Sequence, residues 1–456
     1  MDSMETKLSE RKKYHFEMPA ADYILKIRCA NKAAALYGDP IPLPILDRMT
    51  VEVSAIRVNK HATHYLIASE LAKYSTEKGY LVSTRGMLPS SLVSFLSGIS
   101  NVNPLPAHYS CPQCHHFEMI ENDGNNHRIC GHDLPDKACP ECGTLMQADG
   151  ADIRSEINMG LDFDKEPDIT LNFAPHIYRE IIEHIKAEFS RNQIFRAGVK
   201  VVLPDGTIRK NIHPGGIYIV PGSVDVSDIT ALREHEPEDE INLDDGLLIT
   251  EEHYNNIDDK LKKYDILTLP ELGMLHDLEE NTGFKLSYIR FTDASVLEAF
   301  RDVDNYYMKR FGELYRQVVQ KVEPQSFSDP ARIDGLIHGV GTWADNGEQL
   351  INNGIGIRDI ISSRDDVMQY LMSKGISRSV SYRAMHHVRG GKGLTQEMTE
   401  QMKSAGIPDW YIESCNKIQY AYPWGQCVEY TIINWRLAYY WLHYPKIYRK
   451  TYEKQF

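Results

Sequence analysis

The sequence Pro167-Asp168-Ile169-Thr170-Leu171-Asn172-Phe173 alternates polar and apolar side chains with a period of two residues. Residues i and i+2 of a strand point to the same face of a sheet, so this alternation predicts a half-buried β-strand. A helix is expected directly after it, at about 176–190, and a further strand at 262–267, which carries Asp265. These elements indicate a mixed α/β fold.

The flanking sequence extends this pattern in both directions. Residues 61–75 have helical spacing, 79–82 are predicted to form a strand that runs into a turn, and 216–220 form another strand. The tetrapeptide at 204–207, Pro-Asp-Gly-Thr, is typical of a hairpin turn between two short strands. From about 293 onward the pattern is helical, so the chain divides into an α/β part to about 290 and a helical part after it.

The composition is that of an ordinary globular protein. The 456 residues are 42% hydrophobic and 25% charged, which is enough to bury a sizeable core. No stretch approaches the ~18 apolar residues of a membrane span, and the polar residues 1–13 contain no secretory signal, so we expect a cytoplasmic protein without membrane contact. The formal charge of −14 argues mildly against a general polyanion binder, because phosphate backbones favour basic surfaces.

The charge is unevenly distributed along the chain. The window from Glu234 to Asp259 contains eleven carboxylates and no Lys or Arg, so it carries −11 of the −14. Such a run is typical of a solvated loop, and the alternative is a metal-rich or anion-repelling rim. The C-terminal end instead interleaves basic and aromatic side chains, which either stack on a nucleic acid strand or belong to a packed helix: Arg436, Tyr439, Tyr440, Trp441, Tyr444, Lys446, Tyr448, Arg449, Lys450 and Lys454.

Four cysteines occur in two pairs, Cys111-Pro-Gln-Cys114 and Cys139-Pro-Glu-Cys142. A two-residue spacing lets both thiolates of a pair reach one tetrahedral zinc ion from a tight turn. Disulfides are the poorer interpretation in a reducing compartment, and unrelated thiols are the other alternative. We therefore predict a structural zinc ion with no open coordination position for chemistry. Other side chains near the pairs could replace one of these ligands: His115, His116, His127, Cys130 and His132.

Many short motifs, in the same order along the chain, carry a resemblance to a known family. They are LYGDP at 36–40, NPLP at 103–106, DLPDK at 133–137, LNF at 171–173, FRAG at 195–198, HPGG at 213–216, YDIL at 264–267, GLIHG at 335–339, RDDVM at 364–368, GKGL at 391–394 and HYP at 443–445. From about residue 36 to 445 the chain resembles the polymerase core of the bacterial family C replicative DNA polymerases of the PolC type.

This resemblance implies a domain organisation. An N-terminal extension at 1–35 precedes a polymerase-beta-like palm at 36–290, which contains a zinc knuckle at 107–147, and a helical fingers-like part follows at 291–456. Only fourteen residues, 199–212, separate the FRAG and HPGG motifs, so most of the family's thumb is expected to be missing. The family's exonuclease and clamp-binding modules are not expected in a chain of this length.

The resemblance also implies phosphoryl transfer by two metal ions held by three palm carboxylates. Two of them match Asp168 and Asp265, but Thr170 stands where the third is expected. A hydroxyl lacks the negative charge that hard divalent ions depend on, so Mg²⁺ is expected to bind weakly.

The nucleotide-binding turn departs from the family pattern as well. The family's Gly-Ser-Arg-Gly-Ser-Val-Gly-Ser-Ser reads Ser-Thr-Arg-Gly-Met-Leu-Pro-Ser-Ser at 83–91, and Pro89 has no N–H to offer a phosphate. A basic pair is also missing from the segment Trp424-Gly425-Gln426-Cys427-Val428-Glu429. The residues that the resemblance still assigns to nucleotide binding are Arg85, Ser90, Ser91, Arg196, His213, Gly215 and Gly216.

These departures predict a catalytically inactive polymerase-core homologue, of bacterial or phage origin, that retains binding to DNA, a nucleotide or a replisome protein. One alternative is an active DNA polymerase in which Asp162, Asp164 or the acidic window supplies the second carboxylate. The other alternative is a zinc-stapled nucleic-acid-binding or regulatory module.

Overall fold

The structure, a computed structural model, describes residues 17–120, 130–189, 191–236, 239 and 245–455. Its helices are α1 (Ala21–Tyr37), α2 (Leu43–Val58), α3 (Ala62–Glu77), α4 (Leu92–Leu96), α5 (Ser155–Met159), α6 (Pro175–Phe189), α7 (Pro270–Thr282), α8 (Ala294–Arg301), α9 (Glu313–Val322), α10 (Ser328–His338), α11 (Glu348–Asn352), α12 (Arg364–Ser373), α13 (Arg378–Arg389), α14 (Gln396–Ser404), α15 (Asp409–Lys417), α16 (Trp424–His443) and α17 (Pro445–Gln455). Its strands are β1 (Ser83–Thr84), β2 (His108–Ser110), β3 (Phe117–Met119), β4 (Gln147–Asp149), β5 (Ile169–Phe173), β6 (Ile194–Val202), β7 (Ile208–Ile219), β8 (Leu232–Arg233), β9 (Ile249–His253) and β10 (Lys263–Thr268).

The main sheet is mixed and has seven strands in the order β1-β5-β10-β7-β6-β9-β8. The central pair β5 and β10 is parallel, and β10 runs antiparallel to β7 on its other side. A separate antiparallel sheet, in the order β3-β2-β4, carries the cysteine pairs at its end. The mixed α/β class with a helical C-terminal part and a zinc-knuckle-like unit is thus confirmed.

One hydrophobic core joins the α/β part to the helical part. It runs from α1–α3 through Ile169, Leu171 and Phe173 of β5 to α16, where Trp435 and Leu437 are buried. Asn172 is also fully buried, so β5 is covered on both faces, more than the half-burial predicted from its alternation. The burial of β5 follows from its position between β1 and β10 in the sheet. Helices cover one face of β5, and on the other side α16 packs against the neighbouring strand β1.

Most of the predicted elements are confirmed. The helices at 61–75 and 176–190 correspond to α3 and α6, the strand at 262–267 to β10, and the turn at 204–207 joins β6 to β7. Those two strands have nine and twelve residues, so they are longer than the short strands expected. The strand predicted at 79–82 is wrong, because the backbone of Tyr80 instead bonds to Ser75 and ends α3.

The aromatic and basic C-terminal segment belongs to packed helices, as one of its two interpretations predicted. Tyr440 and Tyr448 are buried, and Arg449 lies over the ring of Tyr306 at 5.2 Å.

Of the acidic window, residues 237, 238 and 240–244 lie outside the described part of the chain. Two of its described carboxylates are engaged by arginines, since Asp239 pairs with Arg233 and Asp245 with Arg196.

Among the helices that the structure describes, none combines the length and the apolar character needed to cross a membrane.

Candidate functional site

Two of the three predicted palm positions, 170 and 265, meet at the centre of the main sheet. Asp265 on β10 is the register partner of Thr170 on β5 and of Gly216 on β7. Directly paired residues of neighbouring strands project to the same face, so the Thr170 hydroxyl lies beside the Asp265 carboxylate. Asp168 comes one residue before β5, and 69% of its side chain is exposed. The structure therefore joins Thr170 to Asp265 and leaves Asp168 at the open end of the strand.

The Asp265 carboxylate is engaged by basic side chains. Lys263 Nζ lies 2.9 Å from its Oδ1 and 3.0 Å from its Oδ2, and it also sits 4.8 Å from the centroid of the Tyr254 ring. His213 Nδ1 approaches Oδ1 at 3.7 Å. Burial lowers the pKa of His213, and the positive charge of Lys263 lowers it further. The negative charge of Asp265 is thus balanced mainly by the Lys263 ammonium.

No third carboxylate completes this site among the described residues. Asp162 and Asp164 are exposed, while Asp258 from the acidic window accepts a hydrogen bond from the Tyr218 hydroxyl at 2.7 Å. Burial raises the pKa of Asp258, and the nearby charge of Asp265 adds to that rise. In the described part of the chain, the only group of three or more metal-ligating side chains with ligand atoms within 4.8 Å of one another is formed by four cysteines. The palm residues present do not fit a pair of divalent ions, and we derive no catalytic step through Mg²⁺.

A cluster of cations lies beside Asp168 at the junction with the helical part. Burial lowers the pKa of Lys165 to about 8, and the charges of Arg364 and Arg389 lower it further, whereas Asp168 opposes them. Arg364 is only 5% exposed, and its Nε and Nη2 have no hydrogen-bond partner. Burial and then the charges of Arg389, Lys165 and Arg364 lower the pKa of His386 to about 4. We call Lys165, Arg364 and Arg389 the cation cluster. Lys165 Nζ lies 3.8 Å from Asp168 Oδ2 and the charge of Asp365 acts on Arg364, so the positive charge of the cluster is only partly balanced, which favours an anionic ligand.

The sequence did not identify the cation cluster as a site. Lys165 lies three residues before Asp168, Arg364 opens the RDDVM motif, and Arg389 ends α13. Each residue alone is an ordinary surface-type cation, and nothing in the local pattern shows that α12, α13 and the segment before β5 meet. The only available signal was that two of the three lie within or next to motifs of the resemblance.

The turn at 83–91 connects β1 to α4 and is mostly buried. The Arg85 side chain donates from Nε to Asn172 Oδ1 at 3.0 Å, and the backbone N–H of Arg85 donates to the carbonyl of Thr170. Ser90 and Ser91 are fully buried, and the Ser91 hydroxyl donates to the buried Glu52 at 2.9 Å. The turn thus lies across the end of β5, next to the palm residues, with Arg85 rather than the two serines toward the open side.

The other residues assigned to nucleotide binding divide into two places. Arg196 is 1% exposed, and its guanidinium donates to Asp245 Oδ2 and to the Tyr178 hydroxyl, so it is held within the sheet. The N–H groups of Gly215 and Gly216 both donate to His213 Nδ1, at 3.3 and 2.9 Å. His213 and these glycines lie beside Asp265, whereas Arg196 does not take part in that contact.

The four predicted metal ligands converge. The Sγ atoms of Cys111 and Cys142 are 3.5 Å apart, and so are those of Cys114 and Cys139. Gly143, at φ +74°, follows the second pair, and its N–H bonds to the carbonyl of Cys139. A tight turn therefore brings both thiols of the pair to one point. Four thiol ligands in one cluster are the donor set of a closed tetrahedral zinc site.

Of the alternative ligands, those within the described residues, His115, His116, Cys130 and His132, do not join this cluster. His116 pairs with Glu118 at 3.0 Å, and His132 is packed between the rings of Phe291 and Phe327. Cys130 is buried in the main core. His127 lies outside the described residues.

Two family models match the chain. Residues 23–205 match the bacterial DNA polymerase III alpha NTPase domain, and residues 270–406 match the finger domain of the bacterial DNA polymerase III alpha subunit. The first match contains the turn at 83–91, the cysteine pairs and β5, and the second contains Arg364 and Arg389.

Curated proteins are similar over nearly the whole chain. A PolC-type DNA polymerase III from Caldanaerobacter subterraneus is 37% identical over 471 residues, which cover 92% of this chain and 33% of that protein. The PolC-type enzyme of Thermotoga maritima is 34% identical, over 93% of this chain and 34% of its own length. The PolC-type enzyme of Staphylococcus aureus is also 34% identical, over 95% of this chain and 33% of its own length. The chain spans about a third of the length of the curated relatives that it matches.

Proposed function

The chain belongs to the PolC-type family C DNA polymerases, and on that basis we propose that it is a catalytically inactive homologue of the polymerase core that binds a phosphate-bearing ligand without a divalent metal ion. The ligand class is a nucleotide or a DNA strand. The bacterial origin of the relatives supports a bacterial protein that acts in the cytoplasm, where a replisome protein is a further candidate partner. A phage origin stays the other proposal.

Inactivity is supported above all by the pairing of Thr170 with Asp265. Two-metal catalysis requires carboxylates that bridge both ions, and a hydroxyl at position 170 supplies neither the charge nor the bridging geometry. Lys263, bonded to both oxygens of Asp265, adds a positive charge where a cation would have to bind. The Asp168 carboxylate is largely exposed but lies 3.8 Å from Lys165 Nζ, so it supports at most one weakly held ion.

Binding of an anion is supported by the cation cluster. Arg364 is buried with two guanidinium nitrogens that have no hydrogen-bond partner, and a buried donor without an acceptor is costly. Phosphate oxygens suit a guanidinium because they accept several of its N–H groups together. Lys165 and Arg389 add positive charge beside it. These side chains need no metal ion to attract a phosphate.

The cysteine cluster supports a separate, structural role for zinc. Cys111, Cys114, Cys139 and Cys142 would hold the ion, and no coordination position would remain for a substrate. When bound, the ion supplies cross-links between the two cysteine turns rather than chemistry.

Two measurements on the same purified chain test this proposal. We expect no primer extension with Mg²⁺ or Mn²⁺, and calorimetric binding of deoxyadenosine triphosphate that is unchanged by EDTA. A variant with Arg364→Met and Arg389→Met should lose that binding, whereas a variant with Lys446→Met on α17 should keep it. Extension that Asp168→Ala abolishes would overturn inactivity, and binding that EDTA removes would overturn metal independence.

Binding of single-stranded DNA instead of the triphosphate would identify the strand as the ligand, with an affinity that falls steeply as salt rises.

A further inference from the structure

The N-terminal turns of α16 close directly onto the turn at 83–91. The backbone N–H of Gly86 donates to Gln426 Oε1 at 2.7 Å, and Gln426 Nε2 donates to the Tyr422 hydroxyl at the same distance. Gln426 is only 5% exposed. Both ends of its carboxamide are therefore engaged, and its position is fixed by two good hydrogen bonds.

Packing on either side of Gln426 holds α16 in this place. A Cβ added to Gly425 would lie 2.9 Å from Pro89 Cβ, so glycine is required for this approach of helix and turn. One turn further along the helix, Glu429 accepts hydrogen bonds from Ser100 at 2.9 Å and from Thr84 at 3.4 Å. Two separate departures of the sequence, the changed turn and the segment at 424–426, are thus in contact with each other.

This contact lies beside the cation cluster. Lys165 Nζ is 3.2 Å from the sulfur of Met87, the residue that follows Gly86. A Cβ built on Gly86, which has φ +68°, would meet no heavy atom within 4 Å, so there is open space at the glycine itself. A phosphate that is attracted by Lys165 and approaches Gly86 would have to compete with Gln426 for the Gly86 N–H.

We propose that Gln426 is an affinity-determining residue that occupies the backbone donor of the turn in place of a phosphate. The inference rests on the function proposed above. Because an N–H group donates one strong hydrogen bond, a phosphate must either displace the carboxamide or bind through side-chain cations only. Hydrogen bonds from N–H to a charged phosphate are roughly twice as strong as those to a neutral carbonyl, so release of this donor should strengthen binding about tenfold.

The test compares Gln426→Ala with the wild-type chain, using deoxyadenosine triphosphate in EDTA as the ligand. We expect about tenfold tighter binding by calorimetry. Hydrogen exchange of the segment 83–91 should also become faster without ligand, because the Gly86 N–H loses its acceptor. Gln401→Ala on α14, where the side chain bonds only to Glu397, is the matched control and should change neither quantity.

A second variant keeps the test valid if the alanine variant unfolds. Gln426→Leu retains most of the side-chain volume but accepts no hydrogen bond, and circular dichroism checks its fold. Faster hydrogen exchange of segment 83–91 with unchanged or weaker triphosphate binding would overturn only the effect of Gln426 on affinity. Unchanged hydrogen exchange would overturn the hydrogen bond between Gly86 and Gln426 itself. If neither the wild-type chain nor either folded variant binds the triphosphate, this inference fails. If single-stranded DNA does not bind either, the proposed function fails with it.

Discussion

Thr170 and Asp265 are register partners on the parallel strands β5 and β10, so a hydroxyl and a carboxylate stand side by side at the centre of the sheet. Lys263 completes this arrangement by bonding to both carboxylate oxygens. The pairing places an uncharged side chain beside Asp265, so we expect the charge at position 170 to decide how tightly a divalent ion binds.

The variant Thr170→Asp should bind Mn²⁺ more tightly than the wild-type chain. A second carboxylate about 4 Å from a bound cation contributes about 1 to 4 kcal/mol, depending on local screening. We therefore expect the affinity to rise about fivefold or more, as measured by electron paramagnetic resonance. The asparagine in Thr170→Asn has nearly the shape of aspartate without its charge, so this variant should leave the Mn²⁺ affinity unchanged. Equal increases of the Mn²⁺ affinity in the two variants would contradict the role of charge.

Binding of deoxyadenosine triphosphate should weaken as the pH rises through about 8. Burial lowers the pKa of Lys165 to about 8, so its ammonium is lost above that pH and with it part of the attraction for phosphate. We expect a loss of several-fold between pH values of about 7.5 and 9.5 by calorimetry. Lys165→Arg keeps its charge throughout this range, so its affinity should stay nearly constant. An equal decline in this variant would assign the effect to another group.

The wild-type chain should contain one zinc ion per molecule, measured by plasma emission spectrometry. Cys142→Ser removes one of four ligands and should abolish the zinc content and lower the melting temperature, because the two cysteine turns lose their cross-link. His116→Ala is the control, since this histidine pairs with Glu118 and does not join the cluster. Loss of zinc from the control variant would show that the ligand set differs from the four cysteines.

Burial of Glu429 should make the protein less stable as the pH rises. Burial raises the pKa of this carboxyl from 4.5 to about 7, so the folded state binds its proton more tightly than the unfolded chain does. The free energy of unfolding therefore falls as the pH rises from 4.5 to 7, by about 3 kcal/mol for this group, and stays low above pH 7.

Urea unfolding of Glu429→Gln tests that sign. The amide resembles the protonated carboxyl, so the variant should be more stable than the wild-type chain at pH 8 and less dependent on pH below 7. Glu400→Gln, an exposed position on α14, should leave the pH profile as it is. A Glu429→Gln variant that is less stable than the wild-type chain at pH 8 would show that the charged carboxylate is the stabilising form.

Where the sequence failed, the cause was competition for backbone groups. The segment 79–82 has the composition of a strand, yet Tyr80 donates its N–H to the carbonyl of Ser75 and accepts from the Ser75 hydroxyl. These bonds complete the end of α3, so the backbone at Tyr80 is not free to pair in a sheet. The strand β1 is left with only Ser83 and Thr84. Local composition cannot decide between a partner in the preceding helix and a partner on the distant strand β5.

The sequence by itself determined the features that depend on short spacing. The period-two alternation before Asn172 predicted β5, the Asp205-Gly206 turn predicted the β6–β7 hairpin, and two Cys-x-x-Cys pairs predicted a four-cysteine cluster. Each feature is encoded within a few residues, where geometry leaves few choices. The collinear motifs likewise identified the family without any knowledge of contacts.

Only the tertiary structure decided which distant side chains meet. Lys263 neutralises Asp265, the cation cluster joins Lys165 to α12 and α13, and Gln426 bonds to Gly86 across 340 residues of chain. Their chemistry depends on burial and on the distance between charges, and both arise only when helices and sheet pack into one core. The same residues in an extended chain would be solvated, unpaired and chemically ordinary.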